Sequence, residues 1–230
     1  MKPIVHRARG IESAPGARGH VVVIDVLRAF TTAAYAFASG AERIVLVSGA
    51  DEAFALRAAM PEAVLAGEHE GRKIAGFDHG NSPAEIARTD LRGKVVVLRS
   101  SSGTQGVVGA TRASAIVLGS LVVASATSRW LLDRAGEVTL LAMGTPFGGD
   151  SLEDDACADH FESLLAARTP DPQRTRDRVL QSDAAKLALD PAADWISPAD
   201  LDCALDIDRF DFAMVVERES GLWVARPRRD

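Results

Sequence analysis

The chain has 230 residues, 47% hydrophobic and 25% charged, with a formal net charge of −6. That length supports one large domain, or two small ones sharing a sheet, around a sizeable core. The acidic balance excludes a protein that coats nucleic acid, which needs a clustered basic surface. No apolar run approaches the ~20 residues that span a bilayer, so neither nucleic acid nor membrane is an expected partner.

Read in chain order, short Val/Ile/Leu runs alternate with Ala-rich stretches of helical period. Residues 21–26 form a continuous β-branched run and predict a strand covered on both faces. A helix over 31–40, a strand over 43–47, a helix over 51–60 and a strand over 64–67 follow. The Gly-rich polar stretch 68–83 has no period and is long for a connection, which marks it as functional. Then come a helical turn at 84–89 and strands at 94–98, 115–118 and 138–142. Helices at 103–113, 121–134 and 152–168 alternate with these strands. The N-terminal decapeptide lacks the apolar core of a signal peptide, so the expected location is the cytoplasm. Cys157 and Cys203 are too few for a disulfide scaffold and read as buried free thiols.

Residues 169–172 read as a linker, 174–189 as a charged amphipathic helix and 198–205 as a short one. Residues 212–218 and 222–226 flank Glu219-Ser220-Gly221 and predict a hairpin. The alternation argues for an α/β fold of three layers, α/β/α, with a mostly parallel, mixed sheet. The C-terminal antiparallel hairpin is expected at one edge of it. Residues 1–168 are expected to form the α/β core. Residues 169–230 are expected to supply C-terminal helices and the hairpin, packed on the same domain.

In open α/β sheets ligands bind beyond the C-terminal strand ends, and four clusters follow strands. Asp25-Val26-Leu27-Arg28 places a carboxylate at the end of an apolar strand, where burial demands a partner or a metal. Arg28 can grip an oxyanion in forked geometry; an Asp25–Arg28 ion pair ordering the turn is the plainer alternative. Glu68 directly follows a strand, and Asp78, Asn81 and Ser82 lie among glycines. Hard oxygens without cysteine suit Mg2+, while Ser82-Pro83 also reads as a helix cap. Ser100, Ser101, Ser102, Gly103 and Thr104 lead into a helix of small residues and suit an anion. The run 144–155 ends in Glu153-Asp154-Asp155, which fits either a helix first turn or a cation site.

The chain resembles the 2-phosphosulfolactate phosphatase family. The residues that carry the likeness are Val23-Ile24-Asp25-Val26-Leu27-Arg28-Ala29 with Thr31-Thr32, Leu65-Ala66-Gly67-Glu68, and Gly76-Phe77-Asp78-His79-Gly80-Asn81-Ser82-Pro83. Ser102-Gly103-Thr104, Leu118-Gly119-Ser120-Leu121 and Ser151-Leu152-Glu153-Asp154 add to it. Where the family usually has Thr-Thr-Thr-Asn, this chain has Arg99-Ser100-Ser101-Ser102, and His79 replaces an aliphatic residue. The resemblance implies Mg2+-dependent hydrolysis of the phosphate on a 2-hydroxy acid such as sulfolactate, on a route to coenzyme M. On that footing the metal is expected on some of Asp25, Glu68 and Asp78. Arg28 and the 100–104 turn would grip the small anionic substrate, with Asn81 and Ser82 beside them. Glu153 or Asp154 would orient the attacking water. A phospho-aspartate route is the less favoured alternative, since the haloacid-dehalogenase signature needs Asp-x-Asp and position 27 is Leu. A non-catalytic binder of a small anionic metabolite is the rival reading, and a homodimer is left open.

Overall fold

The computed structural model describes residues 2–134, 136–145 and 151–229. Its strands are β1 (Ile4–Arg9), β2 (His20–Ile24), β3 (Arg43–Val47), β4 (Val64–His69), β5 (Arg72–Lys73), β6 (Val95–Arg99), β7 (Ala115–Gly119), β8 (Glu137–Ala142), β9 (Ala213–Glu219) and β10 (Leu222–Arg228). Its helices are α1 (Ala29–Ala38), α2 (Ala50–Ala59), α3 (Pro83–Ile86), α4 (Gly103–Gly109), α5 (Ala124–Leu132), α6 (Leu152–Leu165), α7 (Pro172–Leu180), α8 (Asp183–Leu189) and α9 (Pro198–Leu205). The strands form one sheet in the order β1-β8-β2-β7-β9-β10-β3-β6-β4-β5.

The hairpin is not at an edge. β9 pairs antiparallel with β7, and β10 pairs antiparallel with β3. It therefore joins two parallel blocks, β1-β8-β2-β7 and β3-β6-β4, at the middle of the sheet. The physical reason lies in Ala213-Met214-Val215-Val216, all buried. Such a run needs cover on both faces and neighbours on both sides, whereas edges are blunted with charge. The edge instead carries β1, whose Arg7 pairs with Asp159 and Glu162 of α6. Residues 174–189 are not one helix: the chain breaks at Ser182, whose hydroxyl accepts the Ala185 N–H at 3.1 Å and caps α8.

Because three successive pairings, β7–β9, β9–β10 and β10–β3, are antiparallel, the two parallel blocks run in opposite senses along the sheet. A flat sheet would put their C-terminal ends on opposite rims. Twist of about 20–25° per strand, taken over five steps from β2 to β6, accumulates on the order of 100° and swings those ends together. The sheet curls around α1 and α4, burying Phe30, Ala33 and Val107 against Val23, Leu46, Leu118 and Met214. Its other face is covered in two parts. α5 and α6 pack on Val22, Ile24 and Leu140, while α2 packs on Val45, Leu65 and Val97.

The close approach of α4 explains its glycines. A Cβ at Gly106 would lie 2.4 Å from the Met143 sulfur and 2.8 Å from Val23. A Cβ at Gly103 would lie 2.6 Å from Asp25 Oδ2. The three-residue glycine spacing is thus a packing device that seats the helix start on the Asp25 carboxylate.

Candidate active site

Asp25 directly follows β2 and is buried. The Ala29 N–H donates to its Oδ1 and the Gly103 N–H to its Oδ2, each at 2.9 Å. One carboxylate so fixes the starts of both central helices. Burial pushes its carboxyl up to about 6, the nearby Glu68 charge adds to this, and the two N–H bonds and Arg28 oppose it.

Glu68, at the end of β4, is also buried. Its Oε1 accepts the Ser101 N–H at 2.5 Å; its Oε2 accepts the Gly71 N–H at 2.7 Å and the Ser101 hydroxyl at 3.0 Å. Arg28 does not form a simple pair with Asp25. It donates to the backbone carbonyls of Trp195 and Gly71, the latter at 2.7 Å, and its guanidinium lies 3.9 Å from Asp200. Burial lowers the pKa of this guanidinium, against the charges of Asp200, Glu68 and Asp25.

These groups line a cavity of about 350 Å3 that also takes in Asn81, Ser101, Ser102 and Glu153. Asn81 is 5% exposed, and its Oδ1 has no hydrogen-bond partner among the described residues. Glu153 is buried in the cavity wall. Asp154 is not in that wall. Its two oxygens accept the Val26 and Gly144 N–H groups, each at 2.8 Å, and so tie the ends of β2 and β8. Burial and the charges of Glu153 and Asp25 hold the Asp154 carboxyl well above the usual carboxylate range.

Several expected site residues are placed elsewhere. Asp78 is 40% exposed, lies outside the cavity lining, and pairs with Arg57 while accepting the Leu65 N–H at 2.8 Å. The loop doubles back, with the N–H groups of Asp78 and His79 both donating to Leu65 O, and this turns the Asp78 carboxylate away. Ser100 and Thr104 are fully buried and bond each other across the first turn of α4, so their hydroxyls are engaged in the helix start and lie outside the cavity lining. Ser101 and Ser102 reach the cavity, but their hydroxyls donate to Glu68 and to Gly144 O. Ser82 caps α3 and donates to Asp200, facing a second cavity behind Arg28. Residues 146–150 of the fourth cluster lie outside the described residues.

Two site residues escape sequence reasoning. Trp195 lies over Gly71, with the Arg72 guanidinium 4.4 Å from its ring centroid. Asp200, almost fully buried, joins Ser82 to a capping box with Ser197. The Ser197-x-x-Asp200 box is legible, but it explains both residues without pointing to Arg28.

The donor chemistry fits a hard divalent cation. Among the described residues no three His, Cys, Asp or Glu side chains converge as ligands. Mg2+ takes only one or two protein carboxylates and keeps waters. Asp25 and Glu68 would serve as such a pair, since an oxygen that accepts an N–H keeps a second lone pair. Among the described residues of this wall Arg28 is the one base beside the acids Asp25 and Glu68, a balance compatible with a cation.

Fold and cavity define an α/β protein with a strand-end site in which buried carboxylates stand beside donors for an oxyanion. The chain belongs to the 2-phosphosulpholactate phosphatase family, whose profile matches residues 5–217. It is 46% identical over 146 residues to a probable 2-phosphosulfolactate phosphatase of Carboxydothermus hydrogenoformans, covering 64% of this chain and 60% of that one. To the Bacillus subtilis relative of the same name it is 36% identical over 146 residues, covering 63% of each. To the Synechocystis relative, again of that name, it is 34% identical over 165 residues, covering 71% and 68%. The matched stretch thus spans about three fifths of the length of the first two relatives. Among the described residues no helix is long and apolar enough to cross a membrane.

Proposed function

We propose that this chain is a cytoplasmic phosphoric monoester hydrolase acting with Mg2+ on 2-phospho-3-sulfolactate or a related phosphorylated 2-hydroxy acid. The observation that carries the reading is the convergence of Asp25, Glu68 and Glu153 on one cavity beside Arg28. Family membership and the relatives' names support it.

Asp25 and Glu68 would hold the metal, which supplies charge neutralisation at the phosphate and a more acidic water. Phosphoryl transfer leaves the protein mainly positioning and electrostatics. Arg28, pinned by two carbonyls, keeps further N–H groups for a substrate oxyanion. The Asn81 amide lies in the same wall for a second polar contact. In this reading Glu153, in the same wall, would orient the attacking water and take its proton. Water oxygen bonds to phosphorus, the ester P–O bond breaks, and the departing oxygen takes a proton, giving inorganic phosphate and the free 2-hydroxy acid.

The test is free-phosphate release from a panel of phosphorylated 2-hydroxy acids, with Mg2+ and with a chelator. Release from at least one ester that stops on chelation is expected. Saturable binding of an ester without release would make the chain a binder instead.

The Asp25 shift gives a second expectation. Its ordinary value is 3.8, and in the folded protein it stands at about 6. A raised carboxyl contributes stability that is complete below pH 4 and is lost as pH rises through 6. Mg2+ binds the deprotonated form, so it should raise Tm more at pH 7.5 than at pH 5. In Asp25→Asn that pH-dependent difference should shrink. Equal Mg2+-induced shifts at both pH values would remove Asp25 from the metal site.

A further inference from the structure

Behind Arg28 the active-site cavity meets a second one, of about 590 Å3. Arg28, Gly71, Asn81, Trp195 and Ile196 line both, so the two are lobes of one cleft. Asn81 stands at the seam. It is almost fully buried, and its Oδ1 bonds nothing among the described residues. A buried polar group left without a partner is costly unless a ligand completes it. An amide whose oxygen is held by no bond can turn its NH2 toward an anion.

The lobes differ in charge. In the first, Arg28 is the one base among the described lining residues, beside the acids that would hold the metal. The second adds Arg72 and Lys73 of β5. Its acids already have partners. Glu85 bonds His79 at 2.7 Å, and Asp194 pairs with Arg72 at 2.7 Å. Asp200 accepts the Ser82 and Ser197 hydroxyls, with Arg28 3.9 Å away. Arg72 also lays its guanidinium over the Trp195 ring. The Lys73 side chain has neither an ion pair nor a hydrogen bond among the described residues.

The β4–β5 ribbon sets where that lysine stands. The two strands pair antiparallel with Lys73 opposite Glu68, and directly opposed residues in such a ladder share one face. A Cβ at Gly80 would meet the Lys73 Cβ at 3.6 Å, so the lysine stem passes the residue just before Asn81. A 2-phospho acid with a further strongly acidic group must keep that group away from the carboxylates of the first lobe, because like charges at close range oppose binding.

We propose that the second lobe receives the non-transferred sulfonate of the substrate, with Lys73 as its counter-charge and Asn81 as a donor at the seam, while the phosphate stays with Arg28 in the first lobe. This rests on the phosphatase reading above. Lys73 is then a specificity-determining residue that takes no part in phosphoryl transfer.

The experiment measures kcat and KM for 2-phospho-3-sulfolactate and for 2-phospholactate, which has hydrogen in place of the sulfonate. It uses the Mg2+-loaded full chain and its Lys73→Met and Lys73→Arg variants. In the parent, kcat/KM should favour the sulfonate ester by about tenfold or more, the scale of a charge-assisted hydrogen bond. Lys73→Met should lower that ratio by about tenfold, through KM for the sulfonate ester rather than kcat. Lys73→Arg should restore most of it. Lys73 is exposed, and the ratio does not depend on the fraction of enzyme that folds. Release from both esters without preference in the parent, or a ratio unmoved by Lys73→Met, would overturn the inference while leaving the phosphatase standing. Release of phosphate from neither ester would overturn both.

Discussion

Asp25→Ala should lower Mg2+-dependent phosphate release by about a hundred- to a thousandfold, the scale on which removing a single preorganised electrostatic group acts. The substitution removes a proposed metal ligand and also the acceptor for the Ala29 and Gly103 N–H groups. Those two orphaned donors cost about 1–3 kcal/mol each, so the assay belongs with a urea melt that shows the folded fraction. Glu68→Gln is the companion, because Gln keeps one acceptor for Gly71 or Ser101 and loses the charge. It should weaken Mg2+ affinity with a smaller change in melting. Folded Asp25→Ala that keeps within tenfold of the parent turnover would exclude this carboxylate from the reaction.

Arg28→Lys should cut kcat/KM by about a hundredfold although the charge is retained. Guanidinium is a rigid fork, and ammonium is not. Here the fork spans two separate loops, bonding Gly71 O after β4 and Trp195 O before α9, with Asp200 behind it. Lysine cannot hold both carbonyls and still present an N–H to a substrate oxyanion. Trp195 should report the loosening as a shift in its emission, with Trp195→Phe as the blank that assigns the signal. An Arg28→Lys enzyme within threefold of the parent would show that a point charge suffices and that the clamp is incidental.

The strand ends are the legible part of this site. Asp25 and Glu68 each follow an apolar run, and a carboxylate there stands out because burying it needs a partner. Asp78 is equivalent by composition, but a loop that folds back on Leu65 O turns it outward, and nothing in residues 68–83 encodes that reversal. Ser100 and Thr104 have the hydroxyls of anion donors; the same chemistry serves a helix start, and in the buried protein they are engaged there. Trp195 and Asp200 come from the other end of the chain, and their approach to Arg28 is a tertiary fact without a local pattern. The α/β layering is readable from alternation alone. The central position of the hairpin is hidden by its charged tips, Glu217-Arg218-Glu219 and Arg226-Pro227-Arg228, which resemble edge strands although Ala213–Val216 behave as core. β1 escapes a reading by apolar runs because its arginines interrupt them.

The placement of β9 and β10 has a consequence for how the molecule is made. The strands that stitch the two parallel blocks are the last of the described strands to leave the ribosome. Until they emerge, β7 and β3 each present an open backbone ladder, the kind of template that invites pairing with another chain. Such distant pairings are slow to form, since a long stretch of chain must first be closed. The nascent protein therefore passes through a stage of two half-sheets waiting for a keystone, and its vulnerability to aggregation is concentrated there rather than in the finished fold.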